Sequence, residues 1–440
     1  MRVWFVLCLI LSLGLAPKAE AEWSFPALTG KKAHFKAASK GALQAPREML
    51  LLVEHSCLRQ RTDTLSSLLK HNTSQEISVE AVSLTVQNEN DLQPWLHHPC
   101  VRAVSDNLAF HTSGVDPRLS EQPAWAPIRH AQAERLFFHP VFGIRQSVVV
   151  GVLDTGVQLD HPDLQTRLWQ GTRGEIGYDF ANNDADPSDD NGHGTHVAGL
   201  IGAQRANDIG LRGIMGESSL LMPVKTQGDD GSGVLANLVN GLRWATDHGA
   251  DVINISIDGS DTNPILEDAI QYALARGVVL VAAAGNDGTE ISSTHFVTPV
   301  AYASKYPGFI GVGAFDALSM LRPSFSNYGP RYVELSAPGS AGDTGILSTF
   351  TGSGYLAIKG TSMAAPQVSG AAALAVGFLR TQGEAYGPLD IERALSLSAV
   401  EDANLASSFA GGRRLDLEAL ALYLMRGTVI SSSGGFDEDL

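Results

Sequence analysis

Three near-continuous apolar runs limit what this chain can fold into: residues 147–153 (SVVVGVL), 252–257 and 278–284. A strand that is apolar at every position, rather than at every second one, has to be covered on both faces, as parallel strands in α/β sheets are. Helical patterns lie between the runs, for example at 235–248, closed by Gly249. The alternation predicts an α/β fold with a doubly wound, mostly parallel sheet and a ligand site at the carboxyl ends of its strands. With 440 residues and 44% hydrophobic content, the chain is long enough for more than one domain.

Four polar residues stand at such strand ends or helix starts. Asp154 closes the first run and is followed by Thr155-Gly156; a carboxylate there either caps its own turn or needs a partner. His193 lies between two glycines in Asp190-Asn191-Gly192-His193-Gly194-Thr195-His196, ahead of a helical run. His193 and His196 are three apart and could share a metal, but no glutamate lies between them and no third ligand suggests itself. Asn286, in Gly285-Asn286-Asp287-Gly288, reads alone as a turn residue. Ser362, in Gly360-Thr361-Ser362-Met363-Ala364-Ala365-Pro366, reads alone as the N-cap of a core helix over 368–379, with Pro366 in the first turn. Together the four supply one group for each role in acyl transfer: a nucleophilic hydroxyl, an imidazole base, a carboxylate to orient the base, and an amide donor for the oxyanion.

At these motifs, Asp154-Thr155-Gly156, His193-Gly194-Thr195-His196 and Gly360 to Pro366, the sequence resembles the subtilisin-like serine proteases (subtilases, peptidase family S8) over residues 131–414, in the order Asp, His, Ser. The resemblance implies a secreted serine endopeptidase. His193 would be general base and then acid, Asp154 its orienting carboxylate and Ser362 the acylated nucleophile. The Asn286 amide and the Ser362 N–H would form the oxyanion hole. It also implies a groove in which an extended polypeptide substrate pairs with Gly231-Ser232-Gly233 and Ser256-Ile257-Asp258. At Asp258 the family usually has glycine; a carboxylate facing the groove would favour basic side chains. A structural calcium held by Asp163, Asn207 and the backbone near Ile209 and Leu211 is a further implication, although the loop differs in length; the chemistry itself needs no cofactor. Two alternatives stay open: a peptide ligase or cyclase using the same acyl-enzyme, and a silent binding protein on the same fold.

Outside this region, residues 1–21 read as a signal peptide, with charged Arg2, an apolar core and Ala19-Glu20-Ala21 for cleavage. The core is shorter than a membrane span, and no stable anchor is expected. Secretion to the exterior or a periplasm follows. Of three cysteines, Cys57 and Cys100 remain after such cleavage and are left to pair in an oxidising compartment. Residues 22–47 look like an aperiodic leader. Residues 48–111 predict a small α+β domain, with strands at 49–53, 77–86 and 101–104 and helices at 58–69 and 91–97. It resembles the propeptides of secreted subtilisins, which template folding and then inhibit. Residues 112–127 read as a linker with the processing site, 128–425 as the catalytic domain and 426–440 as a flexible acidic tail. A net charge of −16 without a basic block argues against nucleic acid as a partner.

Overall fold

The computed structural model describes residues 116–426 with their side chains, except 140–142, 217 and 261, and describes further strands and the end of one helix by their backbone. The chain divides into two compact units, Met1–His111 and Thr112–Leu440. In the first, β1 (Ala21–Pro26) and β2 (Lys32–Ala37) form an antiparallel pair with Trp23 opposite Phe35. The stretch expected to be an aperiodic leader therefore contains a hairpin, for which apolar and polar residues do alternate along both strands. A separate three-stranded antiparallel sheet has β3 (Arg47–Glu54) between β4 (Val79–Val86) and β5 (Val101–Asp106), at the three expected strand positions. Residues 1–20 of the expected signal, the two helices, Cys57 and Cys100 lie outside the described residues.

The second unit opens with α1 (His130–Phe137) and β6 (Val148–Asp154). Next come β7 (Tyr178–Asp179), α2 (His193–Gly202), β8 (Ser219–Lys225), α3 (Leu235–Asp247), β9 (Val252–Ile255) and β10 (Gly259–Ser260). The chain continues through α4 (Pro264–Ala275), β11 (Val279–Ala283), β12 (Val297–Thr298), β13 (Phe309–Asp316) and β14 (Leu335–Ser340). It ends with β15 (Ile346–Phe350), β16 (Gly354–Ile358), α5 (Thr361–Gln382), α6 (Pro388–Ser398), β17 (Val400–Glu401), β18 (Arg413–Arg414) and α7 (Leu417–Ser431).

The main sheet has nine strands in the order β17-β18-β14-β13-β11-β9-β6-β8-β7, parallel except at the β17–β18 edge. From β6 the chain crosses through α2 to β8, then returns through α3 to β9 on the other side of β6. That reversal opens a crevice at the carboxyl ends of β6 and β9. The two faces of β6 show the double cover directly: Val148 meets α5 at Gly377, whereas Gly151 and Leu153 meet α3 at Ala245 and Gly241. Parallel register and burial of all but one β6 residue account for the apolar run that the sequence displays.

Three boundaries differ from the sequence reading. Helix α5 starts at Thr361, so Pro366 lies inside it and not in its first turn. Proline at that point leaves the Ser362 carbonyl without its intrahelical donor; the Ser256 hydroxyl donates to it instead, at 3.1 Å. Part of the expected linker is packed: Ala124 and Trp125 are buried, Trp125 stacks on His130, and Asp116 is ion-paired with Arg212 at 2.6 Å. Part of the expected tail is helical, since α7 reaches Ser431. Among the described residues α5 alone is long and apolar enough to span a membrane, and it is the central core helix, 94% buried in its most apolar window.

Candidate active site

Four chain segments meet in the crevice. Asp154 ends β6 and is fully buried, with Oδ1 accepting the Thr155 N–H at 2.8 Å and facing His193 Nδ1 at 2.7 Å. Its Oδ2 has no partner among the described residues, and the imidazole meets its Oδ1. His193 is the first residue of α2, and the helix start lies close against the loop after Asp154: a Cβ on Gly194 would overlap the Gly156 carbonyl. Burial opposes protonation of His193, but the charge and hydrogen bond of Asp154, with the charge of Asp189 beyond, outweigh it and hold its pKa above the ordinary imidazole value.

Ser362 is in the first turn of α5. Its hydroxyl donates to the Ser256 carbonyl at 3.1 Å. The Ser362 carbonyl is tied in turn through Ser256 Oγ to Asn254 Nδ2 at 2.8 Å, and Asn254 Oδ1 accepts Ser369 Oγ at 2.8 Å. This buried relay joins the end of β9 to the helix that carries the serine. Asn286 follows β11. Its Oδ1 accepts the Thr361 N–H at 2.8 Å and the Thr361 hydroxyl at 3.1 Å, which leaves Nδ2 as the end of the amide available to a ligand. The Ser362 N–H, in the same helical turn, has no protein acceptor among the described residues.

His196 plays a different part. It is buried on α2, its Nε2 lies 3.0 Å from the carbonyls of Ile346 and Leu356, and burial followed by the charge of His193 lowers its pKa to about 3. It is a neutral core histidine that anchors the β15–β16 pair. Among the described residues no three His, Cys, Asp or Glu side chains gather closely enough to hold a metal.

Of the expected groove segments, 256–258 adjoins the serine and 231–233 adjoins the loop before His193. Ile257 and Asp258 continue β9 past Ser256 with no backbone partner among the described residues. Gly231, Ser232 and Gly233 are exposed, in a loop tied to the turn before His193 by Asn191 Nδ2 bonding the Asp229 carbonyl at 2.8 Å. A Cβ on Gly285 would lie 3.5 Å from the Asp258 carboxyl carbon, which places that carboxyl against the strand leading to Asn286. Desolvation, then the charge of Asp287, pushes the Asp258 pKa up.

Asp163 is fully buried. Its carboxylate accepts Asn207 Nδ2 at 2.8 Å, the Leu211 N–H at 3.0 Å and the Tyr355 hydroxyl at 3.1 Å, with no salt bridge to a cationic side chain among the described residues. Asp116 approaches the same loop, its Oδ1 being 3.4 Å from the Asn207 N–H.

Sequence reasoning missed the supports of the site. Asp189 bonds both the loop after Asp154 and the start of α2, Thr361 fixes Asn286, and buried Asn327 holds the 284–289 segment. Only for Asp189 was there a signal, an Asp-Asp pair just before the histidine motif.

The subtilase family model matches residues 145–412. The chain is 40% identical over 264 residues to the thermophilic serine proteinase of Bacillus sp. (strain AK1), covering 60% of this chain and 59% of that protein. It is 37% identical over 276 residues to subtilisin DY of Bacillus licheniformis, covering 62% of this chain and 91% of the relative. To thermitase of Thermoactinomyces vulgaris it is 37% identical over 264 residues, covering 60% and 85%. Among solved structures, a protease from Pseudoalteromonas arctica superimposes with a TM-score of 0.59 and 28% identity, over 71% of this chain and 99% of that one.

Proposed function

The chain belongs to the subtilase family and is a serine endopeptidase acting on polypeptides, and from that premise we propose that Asp154, His193 and Ser362 carry the reaction with Asn286 as oxyanion donor. The observation that carries this reading is the 2.7 Å Asp154–His193 contact in the crevice that also holds Ser362 and an Asn286 amide fixed by Thr361. With Nδ1–H donated to Asp154, His193 keeps the Nε2 lone pair to take the Ser362 proton as Oγ attacks the carbonyl carbon. The tetrahedral oxyanion is met by Asn286 Nδ2 and the Ser362 N–H, at the positive end of α5. His193 then protonates the leaving amine, and water deacylates the serine by the same steps in reverse. Asp154, buried and short of donors, favours the imidazolium formed in each step.

The unpaired backbone at Ile257 and Asp258 supports strand-like capture of an extended substrate, with Gly231 to Gly233 on the other side. Asp258, crowded against Gly285, supports a preference for lysine or arginine beside the cleaved bond. The buried Asp163 carboxylate, which meets only neutral donors in Asn207, Leu211 and Tyr355, supports a structural calcium; Asp163 and Asn207 would hold it, and it would brace the loop after α2 without entering the chemistry. Residues 48–111 would act as an inhibitory propeptide on a protein exported by residues 1–21. The packing of Asp116, Ala124 and Trp125 into the second unit supports cleavage ahead of Asp116.

An intact-mass time course on the purified protein beside Ser362→Ala tests this reading. Wild type should lose about a hundred N-terminal residues and hydrolyse peptides while the variant stays whole and inert. Equal peptide hydrolysis by the variant overturns the assignment.

A further inference from the structure

Beside the catalytic contact, the side chain holding the most backbone and hydroxyl donors is that of Asp189, in the acidic loop ahead of α2. Its Oδ1 accepts the Thr155 hydroxyl at 2.8 Å and the N–H groups of Asn191 and Gly192 at 3.0 and 2.9 Å. Its Oδ2 accepts the Thr195 N–H at 2.8 Å and the Thr195 hydroxyl at 2.5 Å. Both threonines pass the connection on: Thr155 Oγ1 accepts the Gly194 N–H at 2.9 Å and Thr195 Oγ1 accepts the Gln158 N–H at 2.9 Å. One carboxylate thus joins the segment after Asp154 to the turn on both sides of His193.

We infer that Asp189 is a positioning residue for the hydrolysis, clamping the Asp154 loop to the start of α2 and adding a second negative charge that favours the His193 imidazolium. The inference rests on His193 being the base. The other charged and titratable groups facing that imidazole leave this role to Asp189. Asp154 is in contact from β6; His196, one turn along α2, is neutral; Lys225 at the end of β8 is held by the Thr155 carbonyl at 2.7 Å and by Asp190 at 2.5 Å, so its charge is matched locally. The clamp also explains why the loops can touch at Gly156 and Gly194: their spacing is fixed from the side and does not depend on packing between side chains.

An amide at position 189 keeps one accepting oxygen but turns its NH₂ toward N–H donors, opening one side of the clamp and removing the charge. The test is kcat/KM against pH for wild type, Asp189→Asn and Thr155→Val, each normalised to titrated active sites. Asp189→Asn should lose about 10²-fold in kcat at the plateau, the scale for misplaced catalytic groups. The midpoint of its acid limb should move to lower pH, because the charge that favours protonated His193 is gone. Thr155→Val, which cuts the link but keeps the charge, should lower kcat without moving the midpoint. A purely structural Asp189 would lower activity or yield and leave the midpoint in place, which overturns the inference; so does a Thr155→Val enzyme with wild-type kcat, the deciding result should Asp189→Asn not fold. A wild type without Ser362-dependent activity would instead fail the underlying reading.

Discussion

Replacing Asn327 with alanine should damage stability and catalysis together, although Asn327 is not one of the reacting groups. Its Oδ1 accepts the Asp287 and Thr289 N–H groups, both at 3.0 Å, and the Thr289 hydroxyl at 3.2 Å. Its Nδ2 donates to the Ala284 carbonyl at 3.0 Å, and both Asn327 and Ala284 are fully buried. Water can reach the donors at Asp287 and Thr289 once the side chain is gone, so each of those losses is about 1 kcal/mol or less. The Ala284 carbonyl has no such recourse and costs about 1–3 kcal/mol when orphaned. A total of about 2–4 kcal/mol follows, a drop of roughly 3–6 °C in melting temperature for a unit of this size. The segment released is the one that carries Asn286, and backbone bonds at Ala284–Val312, Gly288–Phe325, Asn327–Gly285 and Tyr328–Thr289, with the Gly285 N–H to the Thr361 hydroxyl, would still tie its ends. A displaced oxyanion donor should lower kcat by about 10-fold to 10²-fold with KM little changed. Stability is best measured by calorimetry in a Ser362→Ala background, where autolysis cannot interfere, and kcat in the active enzyme. A melting temperature within a degree of the parent, with kcat unchanged, would refute the reasoning.

Four further outcomes are expected. Activity should fall as pH drops through a midpoint above the ordinary imidazole value, since the carboxylates around His193 hold its proton against the effect of burial; a kcat/KM profile with its acid midpoint at or below that value contradicts this. Burial, then the charge of Glu334, raises the Glu392 pKa to about 7. The folded protein then binds more protons than the unfolded chain between the ordinary glutamate value and about 7, and stability falls as pH rises across that window. Glu392→Gln in the Ser362→Ala background should accordingly gain more melting temperature at pH 8 than at pH 5, and an equal gain at both counts against it. Asp258→Ala should lower cleavage after lysine or arginine relative to leucine or phenylalanine, read from paired peptide substrates, and an unchanged ratio removes Asp258 from specificity. Calcium should raise the melting temperature of the parent but not of Asp163→Asn, and a chelator that leaves the parent unmoved rejects the site.

The sheet was legible because a strand covered on both faces leaves an unbroken apolar run, and the runs at 147–153, 252–257 and 278–284 became β6, β9 and β11. The four polar residues were legible because tight turns force glycines beside Asp154, His193, Asn286 and Ser362. What holds them was not. Asp189, Asn327 and Thr361 act through hydrogen bonds to backbone or hydroxyl groups some 34 to 76 residues away, or across a single turn, and such bonds leave no period in the sequence. Pro366 misled for a related reason. Its missing N–H suggested a first turn, whereas Ser256, over a hundred residues upstream, supplies the donor. The stretch around Trp125 looked like linker because its prolines and polar residues outnumber the few apolar side chains that anchor it.

The most direct test of the central claim is reaction with a serine-directed phosphonate, followed by peptide mapping of the adduct. A single added group on Ser362 is expected in the wild type, none in Ser362→Ala, and strongly slowed labelling in His193→Ala, because the hydroxyl would have lost its base. Labelling at another residue, or labelling of His193→Ala at the wild-type rate, would contradict the account.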